Sequence, residues 1–211
     1  MADPDLSNRR PLKSRSTGWA AMIARGAVRS GITPNGISVL GVLAAALGAW
    51  ALVCAPWHPA LYLAGALGIQ LRLLANMIDG MVAVEGGRGS PTGPLYNEAP
   101  DRIEDALLLV AAGYATAWPW LGWAACALAI FTAYVRALGG SLGFAQDFRG
   151  PMAKPHRMAA LTLGCVAAFV EALTMETRYA LAIALGVIVA GTALTGVRRL
   201  VGIARQLRAA G

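Results

Sequence analysis

The chain has 211 residues, enough for one domain, but 57% of them are hydrophobic and only 14% are charged. With the apolar residues gathered in long blocks, this composition excludes an ordinary soluble domain and fits a polytopic helical membrane protein. The formal net charge of +7 does not point to nucleic acid as a partner. The Lys and Arg residues fall in the short segments between apolar blocks, where membrane proteins carry them.

Residues 1–13 are polar and are expected to form a flexible N-terminus, without the apolar stretch of a signal peptide. In 14–30, Trp19, Met22, Ile23, Ala27 and Val28 recur at helical spacing among Arg15, Arg25 and Arg29. That pattern predicts an amphipathic helix in the membrane interface, or a short helix packed on the rest. The cluster Gly31-Ile32-Thr33-Pro34-Asn35 breaks it and caps the next helix.

Six apolar segments follow, at about 36–55, 60–84, 98–117, 119–144, 156–175 and 178–197, each near the length that crosses a bilayer core of roughly 30 Å. The expected fold is all-α, six transmembrane helices preceded by the interfacial one. Trp118, Trp120 and Trp123 suit an interface belt at the start of the fourth segment. Cys54, Cys126 and Cys165 stand alone in apolar runs and read as small buried residues.

Orientation follows from charge. The N-terminal segment, the 85–103 connection (Arg88, Arg102), the 145–157 connection (Arg149, Lys154, Arg157) and the tail (Arg198, Arg199, Arg205, Arg208) are basic. The alternate connections carry only Arg178. The positive-inside rule makes both termini cytoplasmic in a multi-pass protein, with a bacterial inner membrane as the expected location.

Between the second and third segments the sequence places Asp79, Glu85, Glu98, Asp101, Glu104 and Asp105. Ionisable residues against membrane-length apolar runs are expensive and mark function. Asn76 and Asp79 share one helix face at i, i+3, with Ala83 a turn beyond. Asn97, Asp101 and Asp105 share another at i, i+4, i+8, bordered by Glu98. Joined by a glycine-rich turn, the two faces offer oxygen ligands from two helices, a set suited to Mg²⁺, Mn²⁺ or Ca²⁺. Gly80 and Gly93 would let a bulky ligand approach the backbone. Glu85 and Glu104 read as ordinary helix-end residues at a water boundary. Arg149, Lys154 and Arg157, with Arg136 inside the fourth segment, are candidates to hold phosphates at the mouth of this site, or else only set topology. Arg72 is a counter-ion or a snorkelling residue. His156 is a polar contact, and His58 lies on the opposite side without a partner.

These residues resemble the CDP-alcohol phosphotransferase family, which carries D-x2-D-G-x2-A-R-x8-G-x3-D-x3-D across its second and third transmembrane helices. The register is kept without a gap. Asn76 stands at the first Asp position, Asp79, Gly80 and Ala83 match, Val84 replaces the Arg, Gly93 matches, Asn97 stands at the third Asp position and Asp101 matches the fourth. Ser90-Pro91-Thr92-Gly93-Pro94-Leu95-Tyr96 is similar to the SPLGELF segment of the choline/ethanolamine branch, and Thr33-Pro34-Asn35 to the TPN segment before the first transmembrane helix.

The resemblance implies transfer of a phosphatidyl or related phosphoalcohol group from a CDP-linked donor to an alcohol acceptor, with release of CMP. It makes residues 31–211 the six-helix catalytic domain and implies a homodimer. By position, Mg²⁺ or Mn²⁺ would be held by Asp79 and Asp101 with Asn76 and Asn97, and Glu98 or Asp105 would restore a lost charge. Asp101 would be the base. Gly80, Ala83, Gly93 and Asn76 would contact the nucleotide. CDP-diacylglycerol with a small alcohol is the first pairing. A CDP-linked small alcohol with a lipid acceptor is the second, and a non-catalytic member that binds a CDP-linked lipid is the third. A transporter would spread polar residues to mid-membrane, whereas here they gather at the cytoplasmic helix ends.

Overall fold

A computed structural model describes residues 17–85, 91–175 and 177–210, without the side chains of Glu85, Pro94 and Asn97. The described residues form seven helices: α1 (Gly18–Arg29), α2 (Pro34–Cys54), α3 (Ala60–Glu85), α4 (Gly93–Tyr114), α5 (Pro119–Ser141), α6 (Lys154–Thr174) and α7 (Ala180–Ala210). The architecture is all-α. Five helices, α2, α3, α5, α6 and α7, are long and apolar enough to cross a membrane. α4 is not, because Glu98, Asp101, Arg102, Glu104 and Asp105 crowd the stretch from 98 to 105.

Local sequence sets the helix ends. Thr33 caps α2 by accepting a hydrogen bond from the Gly36 N–H at 3.1 Å, and Pro34 follows where a missing N–H costs nothing. Pro94 does the same for α4, so that helix opens at Gly93 rather than near residue 98 as the hydropathy suggested. α7 runs on to Ala210, well past 197, because hydropathy marks where an apolar run ends, and basic residues continue a helix readily. At the opposite end of the bundle, Glu171 accepts from the N–H groups of Tyr179 and Ala180 at 2.9 and 2.8 Å and closes the α6–α7 turn.

Successive long helices run antiparallel, as the pairs Gly48–Gly68, Asn76–Asp101, Gly113–Gly122 and Gly164–Ala184 show. α2 packs on α3 and α4, α5 on α4 and α7, and α6 on α7 and α3. Small residues allow this closeness. A Cβ on Gly48 would stand 3.0 Å from the Gly68 Cα, and one on Gly113 2.8 Å from the Gly122 Cα. Close backbone approach of this kind is how helices associate where lipid gives no hydrophobic drive. The larger apolar residues of α2, Leu40, Leu43, Leu47 and Trp50, are exposed, as lipid-facing side chains are.

α1 buries Ala20 and Ala24 against Met77, Ile78, Met81 and Val82 of α3 and turns Trp19, Met22 and Ile23 outward. It therefore lies against the end of α3 that carries Asp79, with its large apolar residues free to enter an interface.

Candidate active site

The site forms where four helices bring one polar face each. α3 contributes Arg72, Asn76 and Asp79 at i, i+4, i+7, and α4 contributes Asp101, Glu104 and Asp105 at i, i+3, i+4. Antiparallel packing sets these rows side by side. α6 begins with Lys154 and Arg157 beside the same carboxylates, and α2 adds Ser38 and Gly41.

Arg72 is fully buried. It donates to Glu104 Oε2 at 3.0 Å and to Asp105 Oδ1 and lies 3.8 Å from Asp101 Oδ1. Arg157 donates to the other Asp105 oxygen at 2.7 Å. Asp105 thus sits between two guanidinium groups, with both oxygens taken. The Asn76 amide donates to Asp101 Oδ1 at 2.5 Å and to Glu104 Oε2 at 2.8 Å. Lys154 also bonds Asp101 Oδ1, and Arg102 lies 3.5 Å from Oδ2. Ser38 donates to Asp79 Oδ2 at 2.7 Å.

Two carboxylate oxygens in this cluster, Asp79 Oδ1 and Glu104 Oε1, are buried without a hydrogen-bond partner. Such orphans are costly and call for a ligand or ion. Glu104 Oε1 looks into the notch left by Gly41, where a Cβ would stand 2.7 Å from it and 3.5 Å from Asn76 Oδ1. Among the described residues no three His, Cys, Asp or Glu side chains converge on one cation position. The donors nearest the two orphaned oxygens are two carboxylates, an amide and a hydroxyl, all oxygen ligands of the kind a hard cation takes.

The other expected site residues divide between this cluster and its surroundings. Glu98 turns to Arg136 at 2.5 Å, and Arg136 also lies over the Phe148 ring at 5.1 Å. Lys154 and Arg157 reach the acids themselves rather than standing at the mouth. Arg149 is on the 142–153 connection, highly exposed and paired with Asp147 at 3.0 Å. Partial burial acts to raise the Asp147 carboxyl, but the Arg149 hydrogen bonds and charge outweigh it and hold it below the usual carboxylate range. Gly80 and Ala83 continue α3 beyond Asp79, and Gly93 opens α4. The Asn97 side chain lies outside the described residues.

Glu104, which reads from sequence as a boundary residue, is instead completely buried. Its signal was present, three residues beyond Asp101 and seven beyond Asn97 on one helix face. Ser38 and Gly41 carried no such signal.

Beside the cluster is a cleft of about 370 Å³ lined by Asp147, Arg149, Arg198, Arg199 and Arg205. Arg199 donates to the backbone carbonyls of Arg149 and Thr132 at 3.0 and 2.9 Å, and Thr195 accepts from the Met152 N–H at 3.0 Å. These bonds fasten the segment leading to Lys154 onto α7.

Fold and site define an integral membrane protein with a buried, ion-paired carboxylate centre. No protein-family profile matches the chain. It is 36% identical over 165 residues to the archaetidylinositol phosphate synthase of Aeropyrum pernix, covering 78% of each chain. It is 28% identical over 154 residues to the phosphatidylinositol phosphate synthase of Mycolicibacterium smegmatis, covering 67% of this chain and 65% of that one. The fold matches the crystal structure of the Mycobacterium tuberculosis phosphatidylinositol phosphate synthase with CDP-DAG bound, at a TM-score of 0.72 and 24% identity over 87% of this chain and 92% of that one. The same enzyme in complex with manganese and citrate also gives a TM-score of 0.72 at 24% identity, over 87% of this chain and 88% of that one. The chain belongs to the CDP-alcohol phosphotransferase family and is a transferase of phospholipid synthesis.

Proposed function

We propose that the chain transfers a phosphatidyl or related lipid phosphoalcohol group from a CDP-linked lipid, CDP-diacylglycerol first, to a phosphorylated polyol, with release of CMP. One observation carries this reading. Asp79 and Asp101, 22 positions apart in the family's register, belong to one buried cluster with Asn76 bonded to Asp101. The relatives' names, both inositol phosphate lipid synthases, favour a phosphorylated acceptor. The cleft of Arg149, Arg198 and Arg205, on the connection that leads to Lys154, offers its phosphate a cationic seat.

In this reading the acceptor hydroxyl attacks the donor phosphorus that bears the lipid, a new P–O bond forms and the bond to CMP breaks. The hydroxyl proton passes to Asp101, which Lys154, Arg102 and Asn76 hold in place. Mg²⁺ or Mn²⁺, when bound, neutralises charge on the leaving phosphate. Asp79, with Asn76 and Glu104, would hold it. Gly80, Ala83 and Gly93 line the route for the nucleotide.

We further infer that α4 crosses the membrane as the third of six spans. Its acids are matched by Arg72, Arg157, Lys154 and Arg136 within the bundle, which lowers the cost of placing them there. Residues 31–211 then form the catalytic domain, α1 rests in the interface, both termini face the cytoplasm, and the chain pairs with a second copy. The test is CMP release by purified protein given CDP-diacylglycerol, Mg²⁺ or Mn²⁺ and a panel of alcohols that includes inositol phosphate. Folded protein that releases no CMP with any acceptor would refute the reading.

A further inference from the structure

We propose that this chain takes one divalent cation, seated at Asp79, and that the Lys154 ammonium supplies at Asp101 the positive charge a second cation would bring. The proposal rests on the reading of this cluster as the donor-phosphate site.

Four carboxylates, Asp79, Asp101, Glu104 and Asp105, meet four cations, Arg72, Arg102, Lys154 and Arg157, leaving no net charge. One divalent ion would take the resting cluster to two positive charges, and two would take it to four. In a medium of low dielectric that excess has no partner in the resting protein.

The distribution of partners is more decisive than the sum. Asp101 is engaged by Lys154, by the Asn76 amide and, at longer range, by Arg102 and Arg72. Asp105 and Glu104 have their guanidinium partners. Among the described residues only Asp79 of these four has no salt-bridge partner, the Lys154 charge acting on it from farther off. It accepts from the Ser38 hydroxyl and from the Gly80 N–H, and its Oδ1 is buried without a hydrogen-bond partner. Glu104, fully buried, likewise keeps Oε1 unbonded beside Asn76 Oδ1 over the Gly41 notch. The open donor positions therefore lie on the Asp79, Asn76 and Glu104 side, while the Asp101 side is filled. Asn76 adds to the same division. Its N–H groups face Asp101, and an amide N–H repels a cation where a carboxylate would bind one.

The test is Mn²⁺ uptake by detergent-purified protein without donor, read from the electron paramagnetic resonance of the free ion. The wild type should bind one Mn²⁺ per chain, and Asp79→Asn should bind none. Asp101→Asn and Lys154→Arg should each still bind one. Lys154→Met should bind two, because it frees Asp101. Two ions on the wild type, undiminished binding by Asp79→Asn, or loss of the ion in Asp101→Asn would each overturn the proposal. So would Lys154→Met remaining at one while eluting as folded protein. If Lys154→Met does not fold, the wild-type count and Asp101→Asn still decide. An inert protein that binds one ion refutes the functional reading and leaves this proposal standing. An active protein that binds two does the reverse.

Discussion

The acid cluster and the basic cleft use the same kinds of side chain at the two ends of one short stretch, Arg149 to Lys154, but in opposite environments. In the cluster, Arg72, Arg157, Glu104 and Asp105 are shut from solvent and each ion answers another. In the cleft, the Arg149 side chain is 87% exposed and pairs with Asp147. A buried pair is costly to break because the remaining charge has no water to turn to, whereas an exposed pair is screened and contributes little. The cluster therefore combines structure and chemistry, and the cleft is left to recognise what arrives from solution.

The sharpest way to break this contrast is Asp105→Ala. It leaves Arg157 without its carboxylate and Arg72 with only part of its set. We expect a loss of about 3–5 kcal/mol, seen as a large fall in melting temperature in detergent. A melt within a degree of wild type would mean that the cluster is wetter than it is drawn here. Asp101→Asn, whose pair with Lys154 is partly exposed, should lower the melt less than Asp105→Ala and lower the rate of CMP release by roughly 10²–10⁴-fold, the usual worth of a positioned base.

Arg198→Ala, in the cleft, should raise KM for a phosphorylated acceptor by roughly tenfold with little change in kcat, consistent with one lost charge-assisted contact. That effect should shrink as salt rises, since exposed charges are screened beyond about 10 Å at 0.1 M. Equal losses with unphosphorylated alcohols would remove the cleft from acceptor recognition.

The smallest expected effect is that of Asp147 and pH. Its carboxyl is held below the usual range in the folded chain. The order it lends the 142–153 connection is thus complete above the unfolded value of about 3.9 and is lost only as pH falls through the lower folded value. Protease sensitivity of that connection should be flat from neutrality to about pH 5 and rise only under stronger acid. An increase near pH 6 would point to another group.

Much of the helix pattern was legible because hydropathy and turn residues act locally. The cap at Thr33 and the breaks before Ala60, Pro119 and Lys154 lie close to where composition put them. α4 resisted, because an apolar test fails on a helix whose charges are neutralised by other helices. The site divided in the same way. Asp79 and Asp101 stood out from spacing, since spacing on a helix is geometry. Glu104 did not, because its burial depends on Arg72, 32 residues away in sequence. Lys154 and Arg157 were visible as charges, but a sequence does not say whether a cation will face phosphate or carboxylate. Ser38 and Gly41 are small residues in an apolar run, and only the approach of α3 and α4 gives them a role.

α7 has 31 residues and so measures about 46 Å, against a hydrocarbon core of roughly 30 Å. Its final turns must stand clear of the lipid tails. The bonds from Thr195 and Arg199 to the connection before Lys154 fall where the helix leaves the apolar layer. The helix is in effect a post that fixes the depth of the site. In the proposed reaction a donor held by its acyl chains and an acceptor that stays in water would meet in the thin headgroup layer, and α7 would carry the floor of the cleft to that level.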